Sequence, residues 1–343
     1  MEYTIDFLQE AEHNHWDEFV RQSEAGTFFH LSGWKTVLER AFGHKTFYLI
    51  ARRGGEIAGI LPLAQTKSLL FGNRLSSTPF CVYGGPLAAN REAGNALVEK
   101  ACQLAESLNV DALEMRNLQR PDRSWPVREL YATFRREIHA DEAQNFKDVP
   151  NKQRPMIRKA IKQGLASEPD AGVERLYRVY AESVRNLGTP VFARKYLELL
   201  RETFREDCDV LMITQEGRDI AGVLSFYYKD QVLPYYGGSI GEARHIKGTN
   251  HFMYWELIRR SGEAGYRLFD FGRSKTGTGP YSFKKNFGFT PEPLHYDYHL
   301  VRSNAVPEVN PTNPKYRGFI RLWKMLPLPV ANRLGPPLAK SLG

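Results

Sequence analysis

The sequence predicts an α/β (α+β) chain built from two tandem copies of one layered fold. Three observations carry this: a length of 343 residues, a balance of 42% apolar and 25% charged residues, and an ordered series of short motifs that occurs twice. The length exceeds one ordinary domain and suits two. The composition is that of a chain able to bury a sizeable core, and 28 glycines and 20 prolines are too few for a disordered one.

The repeat sets the elements in order. Residues 47–51 followed by 55–61 read as strand, tight turn, strand. Residues 210–214 followed by 217–224 read the same way, and each second strand carries Ile-Ala-Gly, at Ile57 and at Ile220, 163 residues apart. Further on, Tyr83-Gly84-Gly85 is matched by Tyr236-Gly237-Gly238. A helical run follows each, at 93–108 and 249–264, and then a short strand, at 112–116 and 267–273. Opening helices, an antiparallel hairpin, a strand, a helix and a strand make a mixed layer fold. The expected division is 1–150, 151–300 and a tail at 301–343.

Charge and cysteines bound the function. A net charge of +8 points to anionic partners such as phosphates, nucleic acid, an anionic membrane or CoA-like ligands. Cys81, Cys102 and Cys208 are odd in number and widely spaced, which argues against a disulfide framework or a zinc site. The start of the chain lacks a basic segment backed by an apolar run, and no stretch reaches the roughly 18 apolar residues of a membrane span. A cytoplasmic protein is expected. His295 and His299 lack a ligand cluster around them, so no metal is expected. Neither a Gly-x-Ser-x-Gly elbow nor a P-loop is present.

The candidate site is the segment 272–288, read as a glycine-rich loop between two strands. Gly272, Gly277, Gly279 and Gly288 allow close backbone approach, and Arg273, Lys275, Lys284 and Lys285 supply positive charge. Together they suit a phosphate or a developing oxyanion. Asp270, at the end of the preceding strand, either accepts a proton from a nucleophilic amine or orients it, or else caps a turn or pairs with Arg273; Glu114 and Arg116 hold the corresponding places in the first half. A second candidate is the helix at 152–163, with five basic residues and no acid. Pro155 suits its first turn and Gly164 its stop, and Arg154, Arg158 and Lys162 share a face that is either solvated or set against a polyanion. Tyr236 either walls an acceptor groove or packs at a strand bend. In the tail, Arg317, Arg321 and Lys324 mix with apolar residues, a pattern that lies on an anionic membrane or packs back on the protein.

Several of these stretches together resemble the FemAB (Fem/MurM-type) transferases and the BioF2-like acetyltransferase domains, over about residues 25–300. They are Phe28-Phe29-His30-Leu31-Ser32-Gly33-Trp34, the basic helix from Arg154 to Gly164, Asp270-Phe271-Gly272-Arg273-Ser274, and Phe283-Lys284-Lys285-Asn286-Phe287-Gly288-Phe289. The tail, with Asn313-Pro314-Lys315-Tyr316, is similar to the subgroup associated with the exosortase (PEP-CTERM) exopolysaccharide system. The resemblance implies tandem GNAT-like domains and transfer of an amino acid from aminoacyl-tRNA to the amine of a peptidoglycan precursor. It places Lys284, behind Phe283, near the transferred acyl group, and adds Trp34 to the substrate-binding set. The long helical insertion of some Fem proteins is missing. The pyrophosphate loop of simple GNAT enzymes survives only as the degenerate stretch Arg244-His245-Ile246-Lys247-Gly248-Thr249. The expected donor is aminoacyl-tRNA or acyl-CoA with no tightly bound cofactor, the acceptor is a cell-envelope precursor, and the tail is the point of any inner-membrane contact. The rival readings are an acyl-CoA-dependent N-acyltransferase acting on a small molecule and a non-catalytic scaffold that binds a polyanion or membrane.

Overall fold

A computed structural model describes residues 2–68, 71–307 and 317–342. The chain opens with β1 (Thr4–Phe7), α1 (His13–Gln22), α2 (Gly33–Phe42), β2 (Lys45–Arg53), β3 (Glu56–Ser68) and β4 (Gly72–Ser77). Next come β5 (Leu87–Ala88), α3 (Arg91–Ser107), β6 (Ala112–Asn117), β7 (Val127–Arg128), β8 (Tyr131–Glu137), α4 (Glu142–Asp148), α5 (Arg154–Lys162) and β9 (Leu165–Asp170). The middle of the chain holds α6 (Glu174–Leu187), α7 (Arg194–Phe204), β10 (Cys208–Gln215), β11 (Arg218–Tyr228), β12 (Gln231–Ser239), α8 (Thr249–Glu263) and β13 (Leu268–Asp270). It closes with β14 (Ser274–Lys275), α9 (Gly279–Asn286), β15 (Thr290–Pro293), β16 (His295–Leu300), α10 (Arg317–Met325) and α11 (Leu328–Ala339).

Two eight-stranded mixed sheets result, in accord with the α/β class read from the sequence. The first runs β1-β2-β3-β4-β6-β16-β7, with β5 on β3. The second runs β14-β8-β13-β12-β11-β10-β9, with β15 on β8. β4 with β6 and β12 with β13 pair in parallel. The hairpins β2–β3 and β10–β11 are the two Ile-Ala-Gly motifs of the repeat.

The chain divides into two compact units that do not follow a cut at 150 and 300. β8 lies before residue 150 yet joins the second sheet, where residues 268–270 pair with 135–137. β16 follows the second repeat yet joins the first sheet, where residues 295–300 pair with 112–117. The first unit therefore takes the chain up to Leu130 and again from Pro293, while the second holds Tyr131–Glu292 and the C-terminal helices up to Ala339. Backbone pairing decides the division, because a central strand left out of its sheet strands two rows of buried polar groups.

Periodicity explains each core. On α3, Ala93, Leu97, Ala101 and Ala105 fall four apart and bury one face against Leu49, Leu61, Leu63 and Met115. Asn90 caps that helix by accepting from the Ala93 N–H at 2.9 Å. In the second unit, Ile157 of α5 and Phe252 and Trp255 of α8 share a core with Val223 and Phe269. Trp34, placed on a substrate surface by the sequence, is fully buried in the first unit. Its indole N–H donates to the Phe28 carbonyl, so it offers no surface to a substrate.

Two further segments differ from expectation. Residues 272–288 are not a plain loop: they hold β14 and the helix α9, whose first turn accommodates Pro280. Tyr236-Gly237-Gly238 lies inside β12, whereas Tyr83-Gly84-Gly85 lies outside any strand. The tail is two helices, with α10 packed on α6; Asn313-Pro314-Lys315-Tyr316 falls outside the described residues.

The exchanged strand β16 carries a buried ion pair beside its ladder to β6. Asp297 is fully buried and accepts from the Arg123 guanidinium and from Asn117 Nδ2 at 2.6 Å. Replacing Arg123 by Ala leaves that carboxylate without its cation, and urea unfolding is expected to show a loss of about 3–5 kcal/mol. The double variant Arg123→Met with Asp297→Leu should recover at least half of that loss.

Candidate functional site

The parallel pair β12–β13 is short. Only Gln231 with Leu268 and Val232 with Phe269 are in register. Beyond Val232, β12 runs on through residues 233–239 with β11 on one side and, among the described residues, no strand on the other. A bulge at Tyr235, between the Pro234–Ser225 and Tyr236–Leu224 pairs, bends β12 at this point. The bulge also accommodates Pro234, which cannot donate to a ladder. The two strands therefore diverge in the middle of the second sheet, and this break in pairing, with 233–239 on one side and the end of β13 on the other, is termed the opening.

The end of β13 is held by two side chains that the sequence singled out. Asp270 is fully buried; it accepts from Thr133 Oγ1 of β8 at 3.0 Å and from the Gly272 N–H at 2.9 Å. It thus closes the turn that Gly272 makes with φ +67°, where a side chain would be strained. Lys284 reaches back from α9 and donates to three consecutive carbonyls, Phe271 O at 2.6 Å, Gly272 O at 2.9 Å and Arg273 O at 3.2 Å. Its ammonium also lies 5.1 Å from the Phe271 ring centre and 5.5 Å from that of Phe134. Burial pulls the Lys284 pKa from the usual lysine range down to about 7, against a smaller pull upward from Asp270.

Aromatic rings surround these two groups. Phe269, Phe271, Phe283, Phe287 and Phe289 contact one another, and Tyr254 of α8 sits 4.5 Å from Phe271. His251, in the first turn of α8, stands 5.1 Å from Phe283, and its Nε2 meets Gln153 Oε1 at 2.9 Å. Burial lowers its pKa, which favours the neutral ring. The sequence reading passed over His251. The available signal was its place two residues into a helix that begins at the degenerate pyrophosphate loop.

The structure also brings the basic helix to this place. Gly248, the N-cap of α8, has φ +92°, and a Cβ there would come within 2.2 Å of the Met156 carbonyl of α5. Only glycine allows the start of α5 to lie against the start of α8. Arg154 spends its guanidinium on the Val149 and Lys147 carbonyls at 2.8 and 2.6 Å and lies over Phe146, so it anchors α5. Arg158 lies over Phe146 from the exposed side, and Lys162 is exposed. Phe283 packs between His251 and Phe287; Arg273 stacks on Tyr131; Lys275 lies in β14; Lys285 is exposed on α9. Tyr236 is nearly buried and shares a hydrogen bond of 2.7 Å with the Tyr196 hydroxyl, within a cluster that includes Tyr180 and Phe192.

The first unit has the same parallel pair, β4–β6, but its opening is stitched shut. Gly84 and Gly85 N–H both donate to the Arg116 carbonyl, at 3.1 and 3.0 Å. The Arg116 side chain pairs with Glu114 at 2.6 Å and donates to the Cys81 carbonyl at 2.8 Å, and the Tyr296 hydroxyl donates to the Val82 carbonyl. Residues 81–85 thereby occupy the end of the strand that stays open in the second unit.

The depressed pKa of Lys284 has a consequence for stability. Between about 7 and the ordinary 10.5 the unfolded chain holds a proton that the folded chain has released, so stability rises with pH across that window. In urea unfolding, wild type should gain on Lys284→Met by about 1 kcal/mol per pH unit between pH 7 and 9. Parallel pH profiles of the two proteins would overturn the assignment.

The acetyltransferase (GNAT) domain family matches residues 151–285, which include the opened strand pair and Lys284. No curated protein matches the chain. Among solved structures, FemX aligns over 88% of this chain and 98% of its own, at 16% identity and a TM-score of 0.64. The C-terminal domain of a putative lysylphosphatidylglycerol synthetase from Agrobacterium fabrum aligns over 86% and 92%, at 13% identity and a TM-score of 0.58. A tandem GNAT protein from the clavulanic acid biosynthesis pathway aligns over 88% and 99%, at 14% identity and a TM-score of 0.56. The chain thus has the tandem GNAT fold, with its one matched GNAT domain in the second half.

Proposed function

We propose that the chain is an acyl- or aminoacyl-transferase of FemAB type. It moves an acyl group from an activated carrier, aminoacyl-tRNA or an acyl-CoA thioester, to an amine or hydroxyl of a peptidoglycan or exopolysaccharide precursor. The observation that carries this reading is the opening between β12 and β13. An extended carrier segment laid along residues 233–239 follows the strand, while its anionic part meets the start of α8 and the basic residues Arg244, His245 and Lys247. The family match over 151–285 supports acyl transfer. The similarity to a putative lysylphosphatidylglycerol synthetase, named for an aminoacylated lipid, supports an envelope acceptor. The similarity to the tandem GNAT protein from the clavulanic acid biosynthesis pathway, solved without AcCoA, keeps the thioester donor in view.

In either case attack forms a C–N or C–O bond, breaks the C–O or C–S bond to the carrier, and passes the proton lost by the acceptor amine or hydroxyl to the leaving tRNA hydroxyl or CoA thiol. Activated esters and thioesters need positioning more than activation. When protonated, Lys284 directs all three Nζ protons at carbonyls and acts as a positioning residue: it holds the end of β13 against the opening. The exposed Arg158 and Lys162 attract a polyanionic donor.

Transfer assays with aminoacyl-tRNA and acyl-CoA side by side test the reading; transfer from neither would favour the scaffold reading instead. Lys284→Met is expected to lower kcat by about a hundredfold or more with little change in KM, because only the alignment of bound groups is lost. Wild-type kcat in that variant would remove Lys284 from the mechanism. Arg158→Gln with Lys162→Gln should raise KM for tRNA roughly tenfold, flatten its salt dependence and leave kcat unchanged.

A further inference from the structure

Among the described residues, eight large apolar side chains are exposed, and five of them lie on α10 and α11: Phe319, Leu322, Met325, Val330 and Leu334. A sixth, Leu187, ends α6, the helix on which α10 packs. The exposure is high, 64% for Leu322 and 74% for Met325. The helices themselves are anchored. Trp323 is buried, Ile320 lies close to Gly188, and Arg185 donates to the Lys324 carbonyl at 3.3 Å. Ala331, Gly335 and Ala339 form the buried face of α11, close against Val191 at Gly335.

The outward side of α10 is divided. At about 100° per residue, Phe319, Leu322 and Met325 span one sector of roughly 120°, and Arg317, Arg321 and Lys324 fill the neighbouring sector. Residues 317–339 carry four basic side chains, with Arg333, and no Asp or Glu. No helix among the described residues is long and apolar enough to cross a membrane. An apolar stripe beside an unrelieved basic stripe, both turned outward on an anchored helix, matches a surface that is anionic at its face and apolar just beneath.

We propose that α10 and α11 form a docking face for an anionic lipid bilayer, with Phe319, Leu322 and Met325 entering the interface and Arg317, Arg321 and Lys324 meeting lipid phosphates. The test is cosedimentation of the full chain with vesicles of phosphatidylcholine alone or with about 30% phosphatidylglycerol, at low and at high salt. Wild type should bind the anionic vesicles and lose most of that binding in high salt. Leu322→Glu with Met325→Glu should abolish binding, with an unchanged circular dichroism spectrum, since both side chains are exposed. Neutralising Arg317, Arg321 and Lys324 to Gln should weaken it on the order of a hundredfold. Three results would overturn the proposal: no binding to anionic vesicles, equal binding by the glutamate variant, or a wild-type dimer in sedimentation that Leu322→Glu dissolves. None of these readouts depends on transferase activity.

Discussion

The second unit is organised around one constraint: β13 must leave β12 after two residue pairs and be held apart. A strand end drawn out of a ladder has carbonyls without partners, and buried carbonyls left unpaired are destabilising. One ammonium group answers three of them at once, at Phe271, Gly272 and Arg273. Lysine suits the task because its three donors radiate from a single atom, whereas the planar fork of arginine does not converge in this way. Asp270 completes the arrangement by fixing the turn at Gly272 and by tying β13 to Thr133 of β8. Removing either side chain would therefore loosen the same point.

The two units show what a repeat can do with one topology. Both contain a short parallel pair that ends in divergence. In the first, the glycines of residues 81–85 bring the backbone close enough to donate to Arg116, and the buried Glu114–Arg116 pair locks that segment in place. A Cβ at Gly85 would lie 2.4 Å from Asn117 Oδ1, so this closure needs glycine. In the second, the matching glycines remain within β12, and the strand end is braced by α9 instead. The acid at 114 and the acid at 270 stand at equivalent sequence positions, yet one holds an arginine that seals the strand end and the other caps a turn that keeps it open.

Much of this was legible in the sequence, and the exceptions have physical causes. The two hairpins, the helices α3 and α8 and the basic helix α5 follow from period-2 and period-3.6 patterns and from local stops such as Gly164. The exchange of β8 and β16 was not legible, because which sheet a strand joins is decided by partners far along the chain. The helix α9 was hidden by its own glycines: Gly279 and Pro280 read as a loop, although proline in a first turn is compatible with a helix. Asp270 was singled out by its place at the end of an apolar strand, and Lys284 by the family resemblance. The contacts they make were not legible, since a lysine flanked by Phe283 and Lys285 reads equally well as a solvated charge. Trp34 was misplaced because its motif is a packing signature: Phe28, Phe29 and Trp34 contact one another in the core.

Where the net charge resides is as informative as its sign. The basic helix at 152–163 has five positive charges and no acid, and residues 317–339 have four and no acid. Those nine exceed the net charge of +8, so the rest of the chain is balanced to within one unit. A diffuse excess would weakly attract any polyanion, and its effect would be screened over about one Debye length. Two compact basic surfaces act differently. The one on α5 has its charges on a helix whose start abuts α8 beside the opening, and the one on α10 sits next to exposed apolar residues. Only the second couples charge to apolar burial, and so only the second should retain part of its binding free energy when salt removes the electrostatic share. Salt dependence therefore separates the two surfaces physically: steep and nearly complete for α5, steep but incomplete for α10.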